Sequence, residues 1–341
     1  MPVKSFEPLN PNTDITTTRT FLHEVVPITG AIVSGTYGVF ASENNVKNYT
    51  HGMFQSVYDY PVLSSSANHI FDITVGYDES SALSSSSSTQ NSKKINMYNQ
   101  FSQLLLGYTG SNNTVKMFES DLKLDLTGSM KEVYFINFSR LLTKDQIKKG
   151  SVEIKLGRGT WTNPFEDSGS NTTVVTLTDA SASVDDTGVL NTLGGDYGVL
   201  FDAGGAGSTD TGIGKGIIFY QAGVMVLTAS IFSSSVGATD FWQYETNSWN
   251  VTQSMMTGSM SSSCDAIRHR IQNISFNNTT EINSTIYFCR VPHNKFNYST
   301  NPTYVSASKL RVKTIPGDQP VSYITTVGLY SSNNELLAIA K

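Results

Sequence analysis

Charged residues are scarce in this sequence. Only 15% of its 341 residues are Asp, Glu, Lys or Arg, against about 25% in an average domain. The net charge is −5, and the densest basic stretch, Lys144 to Lys149, is interrupted by Asp145. Because nucleic-acid binders neutralise phosphates with clustered Lys and Arg, we expect no nucleic-acid partner.

Long hydrophobic runs are also missing. The most apolar stretch, residues 216–232, is broken by Gln221, Thr228 and Ser230, whereas a transmembrane helix needs about 18 apolar residues in succession. The first residues, Met1 to Pro8, lack the charged and apolar regions of a signal peptide. We therefore expect that the chain is synthesised in a cytoplasm and does not insert into a membrane.

Cysteine is represented only by Cys264 and Cys289. Two cysteines are too few for a disulfide framework. They could be two buried thiols or one disulfide, and their spacing does not fit a metal site of the Cys-x-x-Cys kind.

The sequence also lacks catalytic motifs. In the glycine-rich segment 204–216, Thr209 stands where a P-loop needs its first glycine, and Gly216 follows Lys215 where it needs Ser or Thr. The five histidines are scattered, and the Gly-x-Ser-x-Gly motif of serine hydrolases does not occur. We therefore predict a protein that is not an enzyme, with no catalytic residue, no cofactor and no metal.

Short runs of β-branched and aromatic residues are abundant instead, and turn residues separate them. Residues 152–156 alternate strictly between apolar and polar side chains, as in a strand with one buried face. Further strands are predicted at 70–77, 131–138, 173–177, 197–201, 216–220, 224–232, 271–276, 285–291 and 310–314. The fold class that follows is mainly β and β-sandwich-like, with one or two short helices and long Ser/Gly-rich loops.

Two segments show helical patterns. Apolar residues recur every three or four positions from Ile95 to Leu105, and Gly107 is a candidate C-cap. A second, short helix is predicted from Leu141 to Gly150, where Thr143 and Gln146 have the spacing of a capping box.

Composition also suggests a division of the chain. We predict an extended N-terminal arm at 1–30 and a main β domain made of 31–162 with 270–341. The segment 163–269, which begins with the part richest in Gly, Ser and Asp, is predicted to be an inserted or second β lobe.

The C-terminal residues predict a β-hairpin. The apolar run from Ile324 to Tyr330 is followed by the polar turn Ser331 to Asn334 and a second apolar run from Glu335 to Lys341.

This hairpin and three other phrases carry a resemblance to a known group. The phrases are KKINMYNQFSQLLLGY at 93–108, VYFINFSRLLTKDQIKKGS at 133–151 and VPHNKFNYSTNPTYV at 291–305. Together with the hairpin they resemble virion structural proteins of the tail and baseplate of T4-like, marine-type contractile-tailed phages. The resemblance covers about half of the chain. Within this group the chain is most similar to a baseplate wedge subunit.

The resemblance implies a structural role in the virion tail after synthesis in the host cytoplasm. The implied partners are other tail and baseplate proteins, with the chain itself a homo-oligomer or present as copies in a six-fold ring. We expect residues 1–30 and the terminal hairpin to be the intersubunit elements, since extended arms and strand edges let neighbours add strands. The candidate interface residues are Ile324, Val327, Leu329, Tyr330, Leu336, Leu337 and Ile339.

A second hypothesis is a host-recognition or glycan-binding protein, such as a tail fibre or a capsid decoration protein. It would use Trp161, Trp242 and Trp249, which lie in or beside loops, as exposed aromatic contacts. A third hypothesis, a virion-associated depolymerase or lysozyme, would need an acid pair or nucleophile that the sequence does not reveal.

Overall fold

The chain folds mainly as β-strands. A computed structural model describes residues 8–28, 44–108, 114–125, 127–157, 174–182, 189–203, 214–233, 251–290, 305–306, 309–310 and 326–341. Strands hold 46% of these residues and helices 16%, so the predicted fold class is confirmed.

The elements are as follows. The strands are β1 (Ile15–Ile28), β2 (Val46–Asn48), β3 (Gln55–Tyr58), β4 (His69–Tyr77), β5 (Phe118–Glu119), β6 (Ser129–Met130), β7 (Glu132–Phe138), β8 (Gln146–Ile147), β9 (Glu153–Gly157), β10 (Val174–Thr178), β11 (Val189–Thr192), β12 (Gly195–Asp202), β13 (Gly214–Phe219), β14 (Val224–Thr228), β15 (Ile271–Tyr287), β16 (Val305–Ser306), β17 (Lys309–Leu310), β18 (Val327–Tyr330) and β19 (Leu336–Ala340). The helices are α1 (Asn91–Leu105), α2 (Arg140–Thr143), α3 (Ser230–Ser233), α4 (Val251–Thr257) and α5 (Met260–Arg268).

The chain divides into two compact units. Unit 1 consists of Met1–Arg19 and Asn283–Lys341, and unit 2 of Thr20–Ile282. Strands β10, β12, β13 and β14, from the segment predicted as an inserted lobe, lie in one sheet with β4 and β7. The domain boundaries drawn from composition remain a prediction.

One large sheet dominates. Within the described residues it has 13 strands in the order β1-β15-β9-β10-β12-β13-β14-β7-β4-β3-β2, with β11 beside β12 and β8 beside β15. Its central pairs are antiparallel, for example β4 with β7 and β7 with β14. Smaller two-stranded sheets are formed by β5 with β6, β16 with β17 and β18 with β19.

Alternating side chains give the central strands two buried faces. Val133 and Phe135 of β7 belong to one hydrophobic cluster, whereas Tyr134, Ile136 and Phe138 belong to another. This is the two-residue period of a strand with apolar residues on both sides. The central part of the sheet is therefore covered on both faces.

The sheet of unit 2 also curves back on itself. Phe138 of β7 and Phe276 of β15 have ring centroids 5.0 Å apart, although five strands separate β7 from β15 in the sheet order. Distant strands thus face each other across the core, which is the predicted sandwich-like arrangement.

Helix α1 confirms the predicted helix and packs directly on the sheet. A Cβ added at Gly76 of β4 would lie 2.9 Å from both the Lys94 carbonyl oxygen and the Tyr98 nitrogen, so glycine allows the close approach. The Phe101 ring stacks on Phe135 at 4.2 Å. The predicted C-cap Gly107 has φ +85° and donates its N–H to the Ser102 carbonyl, which closes the helix.

The second predicted helix is wrong beyond its first turn. Helix α2 ends at Thr143, and Lys144 takes φ +56°. Gln146 and Ile147 then form β8 and pair with β15. The hydrogen bonds offered by β15 thus replace those of a helix, and Thr143 is buried instead of capping Gln146.

Three predicted strands also need correction. The strand predicted at 224–232 ends at Thr228, and α3 follows where the Ser230 N–H lies 3.4 Å from the Thr228 hydroxyl. The Thr228 hydroxyl thus supplies a local acceptor for the backbone, which favours a turn over further strand pairing. The separate strands predicted at 271–276 and 285–291 are one long strand as far as Tyr287, namely β15.

Candidate functional site

Large exposed hydrophobic side chains are concentrated in a few strands. Among the described residues, they are frequent in β1, in β15 and its next residue, and in β18–β19. The residues are Phe21, Leu22, Val25, Ile282, Ile286, Tyr287, Phe288, Tyr330, Leu336, Leu337 and Ile339. Scattered exposed apolar residues need no explanation, whereas concentrations of them mark interaction sites.

Unit 1 differs from unit 2 in burial. In unit 1, burial is described for residues 8–19, 283–290 and 326–341, and none of these is buried. Both hydrophobic clusters consist of residues of unit 2. A two-stranded hairpin without a covered hydrophobic face is marginal in water. Strands β18 and β19 of unit 1 therefore carry large apolar side chains that are typical of a covered sheet, and these side chains are exposed.

The predicted C-terminal hairpin is confirmed. Leu329 pairs with Ala338 and Gly328 with Ile339, and a bulge follows before Tyr330 meets Leu336. The Asn334 N–H donates to the Ser331 carbonyl at 3.0 Å, and the Ser331 N–H to the Glu335 carbonyl at 2.8 Å. Asn334 has φ +62°, a conformation that Asn tolerates better than most residues.

One hairpin surface is apolar around Gly328. A Cβ at Gly328 would lie 3.0 Å from the Tyr330 ring and 3.2 Å from the Leu336 side chain, so both side chains lean over the glycine. Leu337 and Ile339 remain 68% and 58% exposed.

The predicted interface residues thus share one element. Val327, Leu329, Tyr330, Leu336, Leu337 and Ile339 all lie on the hairpin. Ile324 lies outside the described residues, and so do the three predicted aromatic contacts Trp161, Trp242 and Trp249.

Unit 1 also contains a polar tie between its two chain segments. The Phe288 N–H donates to the Asp14 carbonyl at 2.7 Å, and the Arg290 guanidinium lies 3.2 Å from the Asp14 carboxylate. The Asn10 N–H donates to the same carboxylate, and this bond is the main cause that lowers the pKa of Asp14. Residues 282–288 were not among the predicted interface residues, although the apolar run Ile286, Tyr287 and Phe288 was a signal in the sequence that could have indicated one.

A serine, an aspartate and a histidine do meet on β3 and β4. The Ser56 hydroxyl donates to Asp72 Oδ1 at 2.5 Å, and His69 Nε2 lies 2.8 Å from the same oxygen. The carboxylate thus lies between the serine and the imidazole, whereas an imidazole that activates a serine lies between the serine and the carboxylate.

Both cysteines are free thiols. Cys264 is buried and Cys289 is exposed, so the prediction of two buried thiols is wrong for Cys289. Cys264 Sγ donates to the Ile73 carbonyl at 3.4 Å, and burial raises the pKa of its thiol.

The described parts of the chain hold no cluster of metal ligands. They contain no group of three or more His, Cys, Asp or Glu side chains that could hold a metal ion. None of their helices has the length and hydropathy needed to cross a membrane. No family model, curated protein or solved structure matches the chain.

Proposed function

We propose that this chain is a non-enzymatic structural component of a contractile phage tail, located in the baseplate wedge. The observation that carries the proposal is the exposed apolar surface of β18 and β19, together with the lack of any buried residue at 8–19, 283–290 and 326–341 of unit 1. The phrases at 93–108, 133–151 and 291–305, which resemble tail and baseplate proteins, supply the assignment to a phage tail.

The hairpin offers a neighbouring subunit two kinds of contact. Among the described residues, β18 and β19 form a sheet of only two strands, so each has an outer edge where a neighbour's strand could add. Tyr330, Leu336, Leu337 and Ile339 supply apolar surface beside those edges. Complete burial of one such large side chain contributes about 1.5–3 kcal/mol, so covering several of them would support a stable assembly contact.

Low charge suits the assembly of many copies. With 15% charged residues and a net charge of −5, electrostatic repulsion between copies in a homo-oligomer or a six-fold ring is limited. The proposed partners are therefore other tail and baseplate proteins and further copies of this chain.

A hairpin variant tests this proposal. Leu337→Ser combined with Ile339→Ser removes apolar surface from the hairpin, and the matched control is Leu63→Ser, since Leu63 is 100% exposed on unit 2. Each protein is supplied to a phage that lacks its own copy, and its amount in purified particles is measured by quantitative mass spectrometry.

We expect the double variant to incorporate at least about tenfold less than the wild type, the equivalent of ~1.4 kcal/mol of contact free energy. The control should incorporate normally, and circular dichroism should show that both variants fold. Normal incorporation of the folded double variant would contradict the proposal.

A further inference from the structure

Unit 2 has a pocket between helix α1 and the neighbouring strands β4 and β7. Its volume is about 250 Å³. Its apolar wall includes Phe54, Phe101 and Leu104, and its polar lining includes Asp72, Gln100 and Asn137. A few polar groups facing apolar and aromatic side chains are the usual composition of a small-molecule site.

Strand pairing brings the two inner polar residues together. Asp72 of β4 is the direct partner of Asn137 of β7, and side chains of such a pair lie on the same face about 5 Å apart. The next pair on that face is Thr74 with Phe135, where the Phe101 ring covers Phe135. On this face of the sheet, Phe101 thus covers the pair of Thr74 and Phe135, whereas the neighbouring pair of Asp72 and Asn137 lines the open pocket.

Hydrogen-bonding capacity is left over in this pocket. Asp72 Oδ1 accepts from Ser56 and contacts His69, which fixes the carboxylate. Within the described residues, no donor is directed to Asp72 Oδ2, and the side-chain amides of Asn137 and Gln100 have no protein partner. The pocket thus offers acceptor oxygens and amide donors beside aromatic rings.

We infer that this pocket binds one ring of a neutral sugar. Sugar hydroxyls can donate to Asp72 Oδ2 and exchange hydrogen bonds with the amides of Asn137 and Gln100, while the C–H face of the ring lies against Phe54 and Phe101. An anionic ligand would be repelled by the Asp72 carboxylate, and a purely apolar ligand would leave Asp72 Oδ2 and the amides of Asn137 and Gln100 without partners. The inference concerns unit 2 alone and does not depend on the proposed assembly.

The test uses the isolated full chain and a panel of free sugars. Glucose, galactose, mannose and N-acetylglucosamine are screened by saturation-transfer difference NMR, and affinities are measured by calorimetric titration. The variants are Asn137→Ala and Gln100→Ala. The matched control is Asn96→Ala, because Asn96 is an exposed amide one turn earlier on α1 that does not line the pocket.

At least one sugar should bind, and Asn137→Ala and Gln100→Ala should each weaken it about tenfold, the usual loss for one hydrogen-bonding group. Asn96→Ala should bind as the wild type does. The inference is overturned if no sugar of the panel binds, or if binding survives both pocket substitutions unchanged. Because binding is measured on the isolated chain, failure here is distinguishable from a failure of particle incorporation.

Discussion

The ammonium nitrogen of Lys94 on α1 donates to the carbonyl oxygen of Met255 on α4 at 2.6 Å, in a site that excludes solvent. It also donates to the Gly258 carbonyl at 2.8 Å. A single buried amine thus caps the C-terminal end of α4 and attaches it to α1. Burial is the main cause that lowers the pKa of Lys94 to about 8, while the neighbouring Cys264 acts in the opposite direction.

This lowered pKa predicts a pH dependence of stability. In the unfolded chain Lys94 has its ordinary pKa of 10.5, so between pH 8 and 10.5 the unfolded state binds more protons than the folded state. The contribution of Lys94 to the free energy of unfolding therefore rises with pH across that window, by on the order of 3 kcal/mol.

Urea denaturation of the wild type and of Lys94→Met at pH 7, 8.5 and 10 checks this prediction. Other groups titrate equally in both proteins, so the difference between them isolates Lys94. The wild type should gain stability relative to Lys94→Met as the pH rises. A constant difference would mean that the amine titrates normally in the folded state.

The hydrogen bonds of the buried Asp179 carboxylate predict that removing one of its donors lowers the stability of the fold. Its buried carboxylate accepts the N–H groups of Gly150 and Val152, each at 2.8 Å, and the Tyr220 hydroxyl at 2.9 Å. Burial raises the pKa of Asp179, while these hydrogen bonds lower it. Tyr220→Phe removes one donor from the acid and should reduce the free energy of unfolding by about 1–3 kcal/mol.

The control for Tyr220→Phe is Tyr60→Phe, since Tyr60 is 53% exposed. Thermal and urea denaturation should show no more than about 0.5 kcal/mol of change for the control. Equal effects of the two substitutions would show that the Tyr220 hydroxyl contributes nothing to stability.

The close approach of α1 to Gly76 predicts that a larger residue at this position destabilises the fold. Alanine at this position would place its Cβ 2.9 Å from backbone atoms of α1, and backbone cannot move away as a flexible side chain can. Gly76→Ala should therefore cost at least about 2 kcal/mol in urea denaturation. At Gly52 the nearest atom to an added Cβ is 4.0 Å away and φ is +61°, so Gly52→Ala should cost only about 1 kcal/mol.

The two thiols should react at different rates. Cys289 is exposed, whereas Cys264 is buried and has a raised pKa. Because the thiolate is the reactive form, a disulfide reagent such as dithionitrobenzoate should modify one thiol of the native chain rapidly and the second only after unfolding. Cys289→Ser should abolish the rapid phase. Two rapid thiols in the native wild type would contradict the burial of Cys264.

Local pattern was sufficient for some elements and insufficient for others. Helix α1 was predictable from its own apolar spacing and Gly107. Helix α5 was missed because serines hide its signal, although Met260, Cys264 and Ile267 have helical spacing. The Ser259 hydroxyl accepts the Ser262 N–H at 3.1 Å as an N-cap.

Features made by pairing between distant strands could not be predicted. Asp72 and Asn137 line one pocket because β4 and β7 are neighbours in a particular register, and a shift of one residue would turn Asn137 to the other face. Strand β8 formed where a helix was predicted because β15 supplies hydrogen-bond partners from far along the chain. The hairpin β18–β19, by contrast, joins neighbours in sequence, so its turn residues were sufficient to predict it.

The measurement that tests the assembly proposal most directly is the copy number of this chain in purified phage particles. Quantitative mass spectrometry gives this number relative to the tail-tube protein. A baseplate wedge component in a six-fold ring should be present in six or twelve copies. Hundreds of copies, or absence from the particle, would contradict the proposal.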